Sequence, residues 1–259
     1  LEKAVDKTTA INISQLIEKI DEIQHAGFVS YEQTQSGTVN QNYIIHCLSK
    51  KFFLRINTPD VAGIQRENEL KILEKIKNLA ISPNIISPNK DYLLSEYEPQ
   101  DCWSAEDCQR NHKTLIKTIS QYHEIELDGN FPDFNQRLTH YYDKSKHFLT
   151  FSFIYQYQHT IKKLHELGFF DAINLTHYDL NRYNLLGKKP LKIIDWEFAG
   201  KGHPIFDIAM FMDYNNLPIN QSSVLLQYCK EFQNGEEILN LSIQLASQMN
   251  FMWEKIQEL

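Results

Sequence analysis

Asp179, Asn184 and Asp195 are the residues of this chain whose types and spacing could do chemistry. They stand in two runs, His177-Tyr178-Asp179-Leu180-Asn181-Arg182-Tyr183-Asn184 and Ile193-Ile194-Asp195-Trp196-Glu197. Phosphoryl transfer from a magnesium nucleotide needs these parts. One carboxylate takes the proton of the attacking hydroxyl, while a carboxamide and a second carboxylate hold Mg²⁺ against the phosphates. On that reading Asp179 is the base and Asn184 and Asp195 are the metal ligands. His177 is counted with the catalytic loop, which it would brace by hydrogen bonds. Residues 185–192 have the apolar–turn–apolar pattern of a small hairpin. A hairpin would set Asn184 and Asp195 at the same end of two adjacent strands.

The elements that must position these groups can be read from periodicity. Residues 11–24 carry helical apolar spacing at Ile11, Leu16, Ile17, Ile20 and Ile23. Three strands follow, Phe28 to Tyr31, Asn42 to Cys47 and Lys51 to Ile56, with turns at Gly37 and at Ser49-Lys50. Arg66 to Leu79 is a helix by period, Ile81 to Pro88 a proline-interrupted loop, and Tyr92 to Tyr97 a fourth strand. After Pro99 the pattern becomes helical, over 105–124, 134–147, 152–167, 219–232 and 235–257. The expected fold class is α+β, with an N-terminal antiparallel sheet carrying one main helix and a mostly helical C-terminal lobe. The expected domains are 1–97 and 98–259.

The two central runs, with Phe198-Ala199-Gly200 and then Pro204-x-Phe206-Asp207-Ile208-Ala209, resemble the choline kinase and aminoglycoside phosphotransferase superfamily. The resemblance is nearest to its small bacterial choline-kinase-like and thiamine-kinase-like members and spans about Ser36 to Trp253. It implies a two-lobed protein-kinase-like fold, ATP and Mg²⁺ as cofactors, and a small-molecule alcohol as acceptor. Ser36, Gly37 and Asn40, in the turn before Asn42-Tyr43, then become the loop over the phosphates. Arg55 falls where the family places a basic residue on the α/β-phosphates. Its acidic partner lies on the next helix. Glu69 shares the inward face of Ile72 and Leu73, with Glu67 as its rival. Glu96 and Tyr97 occupy the segment that pairs with adenine through its backbone. Asp207 matches the aspartate that ties the catalytic loop, although helix capping also suits it. Tyr178 stands where a smaller residue is common and points either to the cleft or to the core.

On the acceptor side the resemblance assigns Trp253 to the pocket wall, with Ile256 where a second Trp is expected. Tyr214 belongs to a set of aromatic residues, some of which could cage a cation. Glu197 and Asp213 could supply counter-charge. The acceptor is then a cationic or amino alcohol of the choline, ethanolamine or thiamine type. An aminoglycoside acceptor or a non-catalytic nucleotide-binding scaffold are the alternatives.

Bulk properties set bounds on this reading. A net charge of −7 over 259 residues argues against a nucleic-acid partner. The four cysteines show no metal-ligand pairing and suit reduced thiols in a cytoplasmic protein. No apolar run approaches the ~18 residues of a membrane span, so no membrane partner is expected.

Overall fold

The computed structural model describes residues 12–34, 40–59, 61, 64–131 and 134–258. Its helices are α1 (Ile13–Glu18), α2 (Asp21–His25), α3 (Arg66–Ile76), α4 (Ala105–Arg110), α5 (His112–His123), α6 (Phe134–Ser145), α7 (Phe151–Glu166), α8 (Ile205–Tyr214), α9 (Ser223–Cys229) and α10 (Gly235–Gln257). Its strands are β1 (Phe28–Gln33), β2 (Gln41–Cys47), β3 (Lys51–Ile56), β4 (Ile85–Pro88), β5 (Tyr92–Glu96), β6 (Asn174–Thr176), β7 (Leu185–Leu186), β8 (Lys192–Ile193) and β9 (Gly200–Gly202). The chain divides into two compact units. One runs to Pro59 and adds Asn84–Glu98; the other holds the segment between, up to Pro83, and everything from Pro99 on.

The first unit is built on an antiparallel sheet of order β1-β2-β3-β5-β4. Alternation along β2 and β3 turns Tyr43, Ile45, Phe52, Leu54 and Ile56 to one core, where Ile17, Ile20 and Ile23 cover them. The predicted helix over 11–24 is two short helices, α1 and α2, because the backbone turns extended at Ile20. The segment expected as a loop over Ile81 to Pro88 contains strand β4, whose pairing to β5 shifts register between Ile85 and Ser87. A proline can end such an edge strand without breaking the sheet.

In the second unit α8 is buried along almost its whole length, from Ile205 to Met212, and packs against α10. A helix apolar all round belongs at the centre of its unit. The predicted helix 105–124 breaks into α4 and α5 at Asn111, and Ser104 caps α4 with a full capping box to Asp107. The helix that carries Glu69 was expected with the sheet, yet by its contacts it belongs to this unit. The reasons are specific. Helix α3 packs on the turn Trp196–Phe198, Ile193 N–H donates to Ile81 O at 2.6 Å, and Lys192 Nζ donates to Ala80 O at 2.7 Å.

Candidate active site

The hairpin expected between the two central runs is present. Leu185 pairs with Ile193 and Leu186 with Lys192, and Ile194 N–H donates to Asn184 O at 3.0 Å. Asn184 and Asp195 therefore leave the same end of adjacent strands. The Asn184 side chain spends its amide protons on Asp179, on the carbonyl at 2.8 Å and on Oδ2 at 3.0 Å. Its oxygen is then the atom able to ligate a cation. Asp195 sits in the left-handed region, with φ 66°.

Asp179 is held on its other side by Asn181, whose Nδ2 donates to Oδ1 at 3.2 Å. Burial pushes the Asp179 carboxyl above the ordinary carboxylate range, against the opposing fields of His177 and Arg137 and the amides of Asn181 and Asn184. A carboxylate destabilised in this way is a better proton acceptor.

His177 is fully buried. Its Nε2–H donates to Ile194 O at 3.0 Å, and its Nδ1 accepts the Asp179 N–H at 3.3 Å. Both ring nitrogens are thus used on backbone, and burial lowers the pKa of the ring. The side chain joins the two central runs, and both of its nitrogens are engaged there.

Asp207 anchors the loop from below. Its Oδ2 accepts from Tyr122 Oη at 2.7 Å, His123 Nε2 at 3.0 Å and His177 N–H at 2.9 Å, and its Oδ1 from Tyr178 N–H at 2.9 Å. Burial pushes this carboxyl up, but His123, His177 and the loop N–H outweigh it, leaving the pKa lowered. Asp207 lies in the first turn of α8 rather than at its cap, which is Pro204. Its work is the loop tie.

Tyr178 points to the core. Its φ is 64°, its ring stacks on Phe134 at 4.3 Å, and its hydroxyl donates to Lys201 O at 2.5 Å. A bulky residue in the left-handed region costs of order 1–3 kcal/mol. Here the Asp207 bond, the ring stack and the hydroxyl bond together hold it.

The remaining predicted residues divide. Glu69 is buried and Glu67 exposed, as the spacing predicts. Arg66 Nη1 lies 2.6 Å from Glu197 Oε2 and 3.4 Å from Glu69 Oε2. Glu197 was expected to offer counter-charge to an acceptor. Its carboxylate is instead buried, only 3% exposed, against Arg66, so its charge is spent inside the protein. Asp213 accepts from Asn250 Nδ2 at 3.1 Å, and burial raises its carboxyl pKa. Tyr214 is exposed and meets Tyr183 edge-on at 6.0 Å. Its phenol is shifted up by burial, then by Tyr183 and by Asp179. Trp253 is half-buried and packs on Tyr141 at 5.5 Å.

In the first unit, Arg55 is buried, and its Nε donates to Asn57 Oδ1 at 2.9 Å. Asn40 Oδ1 accepts from Thr58 N–H at 3.2 Å. The N–H groups of Glu96 and Tyr97 donate to Asn84 O and Lys51 O. Ser36 and Gly37 lie outside the described residues.

The sequence reading missed Arg66, Tyr122, His123 and Arg137. The Arg66–Glu69 spacing of three on a helix was a usable signal. A histidine on the apolar face of α5 was another. Nothing near Arg137 in the chain marks it.

Among the described residues no three His, Cys, Asp or Glu side chains cluster as a metal cage. One amide oxygen and one carboxylate suit Mg²⁺, which takes few protein ligands and completes its shell with phosphates and water.

The family model described as choline/ethanolamine kinase matches residues 31–224. Protein LicA of Haemophilus influenzae is 24% identical over 244 residues, covering 86% of this chain and 72% of that protein. The crystal structure of choline kinase LicA from Streptococcus pneumoniae superposes with a TM-score of 0.78 at 19% identity, covering 95% of this chain and 92% of the other. An ADP-bound aminoglycoside phosphotransferase, APH(2'')-Ib, gives a TM-score of 0.64 at 15% identity, over 94% and 89% of the two chains. The fold is kinase-like.

Proposed function

Given that this chain belongs to the choline/ethanolamine kinase family, we propose that it transfers the γ-phosphate of ATP, with Mg²⁺, to the hydroxyl of a small cationic or amino alcohol. The observation that carries the reading is the joint placement of Asp179, Asn184 and Asp195 by one hairpin and one buried anchor.

Asp179 accepts a hydrogen bond from the acceptor hydroxyl and steers its oxygen in line with the γ-phosphorus. The new O–P bond forms as the bond to the β–γ bridging oxygen breaks, ADP leaves, and the hydroxyl proton passes to Asp179. Asn184 Oδ1 and the Asp195 carboxylate are the groups that would hold Mg²⁺, which neutralises phosphate charge when bound. In the first unit, Arg55 is the side chain suited to phosphate oxygens, with Asn40 in the adjoining loop. Glu69 is the acidic residue on α3 that the family resemblance pairs with that basic side chain, and Glu96 and Tyr97 belong to the segment that would face adenine.

Tyr214 and Trp253 are the aromatic residues available to a cationic acceptor, each face contributing about 0.5–2 kcal/mol. Choline, ethanolamine and thiamine are the acceptor types this favours. The test is ATP consumption with each of these, and with aminoglycosides, with and without Mg²⁺. Turnover of a small amino alcohol only when Mg²⁺ is present is the expected result. Turnover of aminoglycosides alone would move the acceptor class, and ATP binding without turnover of any acceptor would leave a nucleotide-binding scaffold.

A further inference from the structure

Arg137, on α6, touches both catalytic runs from outside them. Its Nη1 donates to Tyr178 O at 3.4 Å, the carbonyl of the peptide that leads into Asp179. Its guanidinium carbon lies 3.9 Å from the centre of the Phe198 ring, in the turn that follows Asp195. Its Nε donates to Tyr141 Oη at 3.1 Å, and Tyr141 in turn carries Trp253 on its ring. Among the described residues no ion pair closes off its charge, and its field reaches the Asp179 carboxyl, which it lowers against the effect of burial. Arg66, by contrast, is closed off by two carboxylates.

We infer that Arg137 is a positioning residue that sets the register between the Asp179 loop and the Asp195 turn and links both to the aromatic wall of Tyr141 and Trp253. His177 ties the same two runs from the core side, so the pair acts as braces from two directions. A planar fork is required for this. One nitrogen must meet a carbonyl and another a phenol oxygen while the flat face lies on a ring, which an ammonium cannot do.

The inference rests on the kinase reading for its catalytic part, and its test separates the two. Arg137→Met and Arg137→Lys are made in the full chain. Steady-state kinetics are measured with the acceptor found above. Amide hydrogen exchange is followed over 177–184 and 195–198, with α8 and α10 as references. Arg137→Met should lower kcat roughly 10- to 100-fold, the loss expected of reacting groups misplaced by a fraction of an ångström to about one. KM for ATP should change less than kcat, because misplaced reacting groups cost the transition state more than the bound ground state. Exchange should rise in the two catalytic segments and stay unchanged in α8 and α10, and Lys should restore neither readout. Wild-type kcat in the Met variant, full rescue by Lys, or a uniform rise in exchange across the unit would overturn the inference. If the unaltered protein turns over no acceptor, the kinase reading fails, and the exchange pattern alone decides whether Arg137 braces the two segments.

Discussion

At the scale of single residues, the site separates groups that react from groups that hold. In the proposed reaction Asp179 meets the acceptor hydroxyl and Asp195 the metal, and these are the first kind. Asp179→Asn should reduce kcat by roughly 10²–10⁴, as expected for a lost general base, with ATP affinity little changed. Asp195→Ala should abolish Mg²⁺-dependent turnover while the circular dichroism spectrum stays that of the unaltered protein. Full activity in either variant would take that residue out of the mechanism. Asp207 is the second kind. Replacing it with Ala leaves the Tyr122 hydroxyl, the His123 ring and two loop N–H groups without their acceptor in the core. Breaking a buried charged network by removing one partner costs about 3–5 kcal/mol. Urea denaturation of Asp207→Ala should show a loss of that size. A loss under about 1 kcal/mol would mean that the four bonds contribute little to stability.

At the scale of elements, the short sheet of β6 and β9 decides where the base loop starts. Thr176 pairs with Gly200, and the chain enters the left-handed Tyr178 one residue after His177. The Tyr178 hydroxyl fills the space over Gly202, where an added Cβ would collide with it. Gly202→Ala should therefore displace the tip of a ring already locked against Phe134, at an overpacking cost of about 1–3 kcal/mol. It should lower kcat as well, because Tyr178 carries the Asp179 peptide. Adding Tyr178→Phe removes the colliding oxygen but leaves the ring carbon that bore it 2.5 Å from the added Cβ, so it should recover only part of the lost stability. Thermal melting of the two single variants and the double variant measures the coupling, and purely additive losses would disprove the contact.

At the scale of the whole molecule, buried neutral histidines make stability depend on pH. Burial and then the nearby His123 lower His203 from 6.5 to about 4, and burial lowers His177 and His112 in the same direction. The unfolded chain takes up these protons near pH 6.5, and the folded chain resists them. The stability they contribute is complete above pH 6.5 and is lost as pH falls toward 4, by about 3 kcal/mol at most for His203. Denaturant midpoints at pH 7.5 and 5 should show the decline, and His203→Asn should flatten it; an unchanged slope would exclude His203 as its source. Other properties were legible in the chain alone because they are local. The five-residue span from Asp179 to Asn184, the hairpin that returns to Asp195, and the alternation of β2 and β3 all lie within reach of short-range periodicity. The proline-interrupted β4 hid its pairing for the opposite reason, since its strand character comes from β5 alongside it. Tertiary structure alone decided that Glu197 is spent on Arg66, 131 residues away, that Tyr178 turns inward onto Phe134, that α3 joins the helical unit, and that Arg137 reaches the base loop. Each of these depends on a partner distant in sequence, and no local period records which distant side chain will arrive.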